Sequence, residues 1–164
     1  MTSPQKSNRF INYPVKHLIV LLAITCISHR MQAQIKDPVH FSYSVNKVKD
    51  NIYELHLTAT MEPGWHVYAQ EQPSDAIAQP TKITFDKNPL ITITGKSKEA
   101  GKKEKYEDTQ AGIVQYQYGG TLDIVQAFTL KTMVKTTISG TIVYQACTDE
   151  MCLPPKTIKF NLSL

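Results

Sequence analysis

Cys147 and Cys152 are the residues of this sequence whose type and spacing lend themselves most directly to chemistry. They lie in YQACTDEMCLPP, residues 144–155, with Asp149 and Glu150 between them and Pro154–Pro155 behind. Two thiols at this spacing can do three things. As a passive staple they close a loop of about six residues, which restrains the unfolded chain by only about 2 kcal/mol. As soft ligands, joined by Met151, they suit Cu(I). Tetrahedral zinc wants four ligands, however, and His40, His56 and His66 are scattered along the chain. As a redox pair they alternate between dithiol and disulfide, provided a partner's thiolate can reach a sulfur. Carboxylates beside a thiol disfavour its thiolate, so Asp149 and Glu150 imply a dithiol that is quiet until a partner docks. Spacing alone leaves the staple and the redox pair both open.

The compartment matters to that choice. Residues 1–33 read as a secretory leader. Lys6, Arg9, Lys16 and His17 form a basic front, LIVLLAITCI at 18–27 is apolar, and MQA at 31–33 offers cleavage before Gln34. An uncleaved anchor is the rival, because Met31 matches the cleavage pattern poorly. A lipid anchor at Cys26 is weaker, since Thr25 is bulkier than such sites prefer. The apolar run is too short to span a bilayer, which takes about 20 residues, and no second hydrophobic segment follows it. The expectation is an exported domain, residues 34–164, in a periplasmic or similar compartment where disulfides persist. Cys147 and Cys152 are then its two cysteines, with one connectivity available.

Charge excludes a class of partner. The formal charge is +4, with 18 basic and 14 acidic residues. The leader holds four of the basic residues and no acid, so residues 34–164 carry 14 of each sign. A neutral domain has no global field to gather nucleic-acid phosphates. The charged run GKSKEAGKKEKYED, residues 95–108, mixes both signs and reads as a solvated mobile loop.

The elements that must position the cysteines are strands. Alternation of apolar and polar residues runs through VHFSYSV, IYELHLTAT, KITF, ITITG, GIVQYQYG, TLDIVQAFTL, TISGTIVYQAC and TIKFNLSL. Period two with β-branched and aromatic enrichment marks strands, and Gly, Pro, Asn and Asp fill the gaps. No amphipathic helix is evident. About eight or nine short strands point to an all-β, immunoglobulin-like antiparallel sandwich, with a closed barrel as the alternative. TIVYQAC would end one strand, TDEM would turn, and LPP would lead into the last strand, its prolines delaying the next ladder. In GWHVY, residues 64–68, alternation sends His66 and Tyr68 to one face and Trp65 and Val67 to the other, making Trp65 the better core residue. Taken alone, His66 reads equally well as an ordinary surface or satisfied histidine.

YQACTDEMCLPP resembles the active-site segment of the N-terminal periplasmic domain of the disulfide reductase DsbD, with Tyr-Gln before the first cysteine and Pro-Pro after the second. EPGWHVYAQ, residues 62–70, is similar to that domain's glycine-aromatic strand, and the likeness extends over about residues 38–164. The resemblance implies an immunoglobulin-like fold and a thiol–disulfide exchange module. That module takes electrons from one thioredoxin-like domain and passes them to exported thioredoxin-fold proteins, with no organic cofactor. It implies that Cys147 and Cys152 do the chemistry, that Cys147 joins the partner, and that His66 and Tyr68 pack beside the pair. A cap carrying an aromatic shield corresponds to KYED, residues 105–108, with Tyr106 as the shield. Four residues separate the cysteines here, against five in the best-known members, which implies a different loop shape. Those members also continue into a membrane domain and a thioredoxin domain, so the expected reductant is a separate protein. The alternative function is a non-catalytic exported binding module with a structural disulfide.

Overall fold

The structure is a computed structural model that describes residues 36–164, so the leader assigned to residues 1–33 lies outside the described residues. Ten strands follow in chain order. They are β1 Val39–Lys49, β2 Ile52–Met61, β3 His66–Tyr68, β4 Lys82–Phe85, β5 Ile91–Ile93, β6 Lys98–Asp108, β7 Ile113–Leu130, β8 Thr137–Tyr144, β9 Ala146–Cys147 and β10 Lys156–Ser163. No described residue is helical. Two sheets form, and every pairing is antiparallel. A seven-stranded sheet runs β1-β2-β7-β3-β9, with β5 and β6 also on β7. A three-stranded sheet runs β10-β8-β4.

The period-two pattern does what it should. Leu55, Leu57, Ala59 and Met61 of β2 turn inward with Leu122, Ile124, Phe128 and Leu130 of β7, and meet Ile138, Ile142 and Tyr144 of β8 and Phe160 of β10. Apolar side chains on alternate positions of both sheets leave water together, which is the driving force of a sandwich. Trp65 and Val67 join this core, while His66 and Tyr68 face the other way, as alternation predicts.

The long strand β7 organises the molecule. GIVQYQYG and TLDIVQAFTL, separate in the sequence pattern, are one strand with a bulge. Gly101 pairs with Leu122 and Lys103 with Tyr118, so β7 carries two extra residues at this point, and Gly120 takes φ +70° there. A left-handed backbone of that kind suits glycine. Below the bulge β7 pairs with β2; above it, with β3. The same strand thus anchors the core and the segment bearing His66 and Tyr68.

Residues 95–108 correct the expectation of a mobile loop. Lys98–Asp108 is a strand paired with β7 along most of its length. Its side chains are mostly exposed, so no apolar alternation betrays it. Backbone pairing holds it, and its lysines and glutamates suit an edge strand that must not recruit another chain.

Candidate redox site

TIVYQAC does not end as one strand. The chain leaves the three-stranded sheet after Tyr144, crosses at Gln145, and enters the seven-stranded sheet as β9. There Cys147 pairs with His66, and Ala146 with Val67. The hairpin then returns. Thr148 N–H donates to Met151 O at 2.8 Å and Leu153 N–H to Ala146 O at 2.9 Å, framing a bridge between Cys147 and Cys152. Thr148 Oγ1 accepts from the backbone of Glu150 and Met151, so a hydroxyl organises the TDEM turn. Pro154 and Pro155 delay the ladder as expected, and β10 begins at Lys156.

Directly opposed residues of an antiparallel pair bring their Cβ atoms close. Cys147 and Cys152 are disulfide-bonded, with Cα atoms 4.1 Å apart. Their surroundings are unequal. Cys147 is fully buried, whereas Cys152 is exposed. Cys147, which the resemblance implies joins the partner, is thus the enclosed sulfur, because β9 places it under the sheet's own cover, and Cys152 is the exposed one.

A cavity of about 320 Å³ opens beside Cys152. His66, Tyr68, Tyr106, Gln115 and Asp149 are among its walls. The five residues singled out in the sequence, Cys147, Cys152, His66, Tyr68 and Tyr106, therefore converge. The Tyr68 hydroxyl lies 4.0 Å from Cys152 Sγ. A disulfide sulfur carries no proton, so the hydroxyl donates. The Tyr68 ring meets His66 edge-on, with centroids 5.4 Å apart. Burial raises the Tyr68 pKa and lowers that of His66, the latter against the opposing pull of Asp149 and Glu104. Tyr106 stands 42% exposed on β6, at the cavity's outer side. Ile77 and Met151, both exposed and apolar, share the same rim.

Sequence reasoning missed Gln115, a buried polar residue of β7 that pairs with Tyr106. No motif marks it, and it stands in an ordinary alternating strand. It also missed the hydrogen bonds that hold the strand exit: Thr81 Oγ1 donates to Tyr68 O at 2.6 Å, and Gln72 Nε2 donates to Tyr116 O at 2.6 Å. Among the described residues, no three His, Cys, Asp or Glu side chains gather as a metal site would need.

The family model described as Thiol:disulfide interchange protein DsbD, N-terminal, matches residues 32–164. The chain belongs to the DsbD N-terminal family. Thiol–disulfide exchange is accordingly its family-level chemistry. Among solved structures, the chain is similar to the N-terminal periplasmic domain of ScsB from Proteus mirabilis, at 12% identity and a TM-score of 0.54. That match covers 80% of this chain and 47% of the other, so this chain spans under half of the ScsB domain's length. The DsbD N-terminal domain of Neisseria meningitidis in its reduced form aligns at 20% identity and a TM-score of 0.48, covering 75% of this chain and 84% of that one. The complex of the DsbD and PilB N-terminal domains of the same organism aligns at 16% identity and a TM-score of 0.46, covering 78% and 87%. The ScsB likeness bears on fold alone, and the DsbD N-terminal family fold is the expected immunoglobulin-like sandwich. No curated protein matches the chain by sequence.

Proposed function

We propose that this DsbD N-terminal family chain is an exported thiol–disulfide exchange module that passes reducing equivalents between thioredoxin-fold proteins, working in the periplasm or an equivalent compartment. The observation that carries the reading is the unequal burial of a bonded pair, with Cys147 enclosed and Cys152 exposed beside a cavity. A staple has no need of that asymmetry, and a loop of about six residues stabilises the fold by only about 2 kcal/mol.

Exchange proceeds through Cys152. A donor thiolate attacks Cys152 Sγ, the Cys147–Cys152 bond breaks, and the Cys147 sulfur leaves with the electron pair and takes a proton. The donor's second thiolate then attacks its own sulfur in the mixed disulfide. Cys152 is released as a thiolate and the donor is oxidised to its disulfide. In the second half, the Cys152 thiolate attacks an acceptor disulfide. Cys147, deprotonated, attacks Cys152 Sγ in the mixed disulfide and expels the acceptor's sulfur, which leaves the acceptor reduced and the pair rejoined. Two electrons move in each half. His66 and Tyr68 shape the sulfur environment, Tyr106 shields it, and Asp149 and Glu150 restrain the free thiol until a partner docks.

The test is trapping. Cys147→Ala, expressed in its native envelope, retains the exposed sulfur but cannot resolve a mixed disulfide. Thioredoxin-fold proteins linked through Cys152 are expected. Their absence, with Cys152 present and reduced, would leave the passive binding module as the better description.

A further inference from the structure

The connection between β3 and β4, residues 69–81, is tied to the redox site by one buried amide. Gln115 is 7% exposed and stands on β7, two residues from Gln117, the strand partner of Tyr68. Its Oε1 accepts the backbone N–H of Ala78 at 2.9 Å. A primary amide whose oxygen is held by a backbone donor has its orientation set, and its nitrogen is left to donate. That side chain lines the same cavity as Tyr68 and Cys152. The Tyr68 hydroxyl lies 4.0 Å from Cys152 Sγ, and an amide N–H given to its oxygen would send its single proton toward that sulfur. With that donation the series would have one direction: Ala78 N–H to Gln115 Oε1, Gln115 Nε2–H to Tyr68 Oη, Tyr68 O–H to Cys152 Sγ.

We propose that Tyr68 is a catalytic hydrogen-bond donor to the Cys152 thiolate, and that Gln115 is the positioning residue that aims it. The inference rests on reading Cys147–Cys152 as an exchange pair and names a residue chemistry for it. The thiolate at Cys152 forms twice in the cycle: as the leaving group when the donor closes its own disulfide, and as the nucleophile on the acceptor. Asp149 and Glu150 line the same cavity and disfavour that charge. A neutral donor offsets them without adding a cation that the carboxylates would capture. Sulfur gains a full charge when the disulfide opens, so the hydroxyl contact strengthens in the reduced state. Burial raises the Tyr68 pKa, so the proton stays on the hydroxyl at neutral pH.

The readout is the pH profile of Cys152 alkylation by iodoacetamide in the reduced protein, followed at the Cys152 peptide by mass spectrometry. Tyr68→Phe is expected to raise the apparent thiol pKa by about one unit, slowing alkylation at neutral pH about tenfold. Gln115→Met is expected to shift it in the same direction, and to add nothing in the Tyr68→Phe background. Should Gln115→Met fail to fold by circular dichroism, Ala78→Pro deletes the N–H that orients the amide and carries the same expectation. An unchanged pKa in Tyr68→Phe overturns the donor role; a Gln115→Met shift that persists in Tyr68→Phe overturns the positioning role. No partner enters this measurement, so its failure is distinct from failure to trap one.

Discussion

His66 sits where two demands on an imidazole compete. It is 8% exposed, pairs with the Cys147 backbone across the sheet, and meets the Tyr68 ring edge-on. Burial lowers its pKa, and the charges of Asp149 and Glu104 only partly restore it. The neutral ring is therefore the folded form at pH 7. Below the unfolded histidine pKa of about 6.5, the unfolded chain binds a proton that the folded chain resists. The stability this neutral histidine permits is full above that pH and is lost as pH falls toward the lower folded value. Urea titrations at mildly acidic and mildly alkaline pH should show wild type weakening in acid, and His66→Phe weakening less. Equal acid sensitivity in the two proteins would contradict this. At the same scale, the pair Cys147–Cys152 was legible from the sequence as one possible pairing, while its redox reading and the places of His66 and Tyr68 came from the resemblance. Gln115 was not legible, because the role proposed for it depends on Ala78 and Tyr68, each far from it in sequence.

The hairpin of β6 and β7 is the element that makes a site out of a sheet edge. Its bulge at Gly119–Gly120 lets β7 change partners from β2 to β3, and its far end carries Tyr106 and Gln115 to the cavity. Gly101 faces that bulge; a Cβ there would come within 2.7 Å of Thr121 O, so no larger residue fits without a shift. The tip has its own signature in hindsight. Asp108 Oδ1 accepts from the backbone of Gln110 and Ala111, and Gly112 takes φ +67°. Asp followed by Gly four residues on is turn chemistry, visible in the sequence before any strand was assigned. The strand itself was not visible, because an edge strand of lysines and glutamates buries no apolar face. Tyr106→Ala removes the aromatic at the cavity mouth. Reduction of the disulfide by dithiothreitol should accelerate about threefold or more, with thermal stability changed by about 1 kcal/mol at most. An unaltered reduction rate would mean that Tyr106 does not shield the sulfurs.

At the scale of the whole molecule, the fold and the redox pair are nearly independent. The core is built mainly by β2, β7, β8 and β10, and the disulfide bridges residues within a single short hairpin at its edge, where Ala146 joins the core. Reduction should therefore cost only about 2 kcal/mol, and the protein should keep its strand spectrum and a cooperative melt. Far-ultraviolet circular dichroism with and without reductant tests this; a collapse of the spectrum on reduction would make the bond a structural staple. The exchange cycle needs this independence, since the scaffold must survive each opening of the pair. Replacing Leu57, a fully buried core residue of β2, by Ala should instead cost about 2–5 kcal/mol and lower the melt in both redox states.

The sequence by itself determined what depends on near neighbours. Alternation specified most strands and which face each side chain takes, Pro154–Pro155 delayed the last strand, and two cysteines outside the leader segment left one pairing. Tertiary structure alone decided which sulfur is open to a partner. Cys147 is buried because β9 crosses to the larger sheet and lies beside β3, some 80 residues earlier, while Cys152 stays at the turn's outer side. Burial and cross-strand register are properties of residues distant along the chain, and no local pattern encodes them.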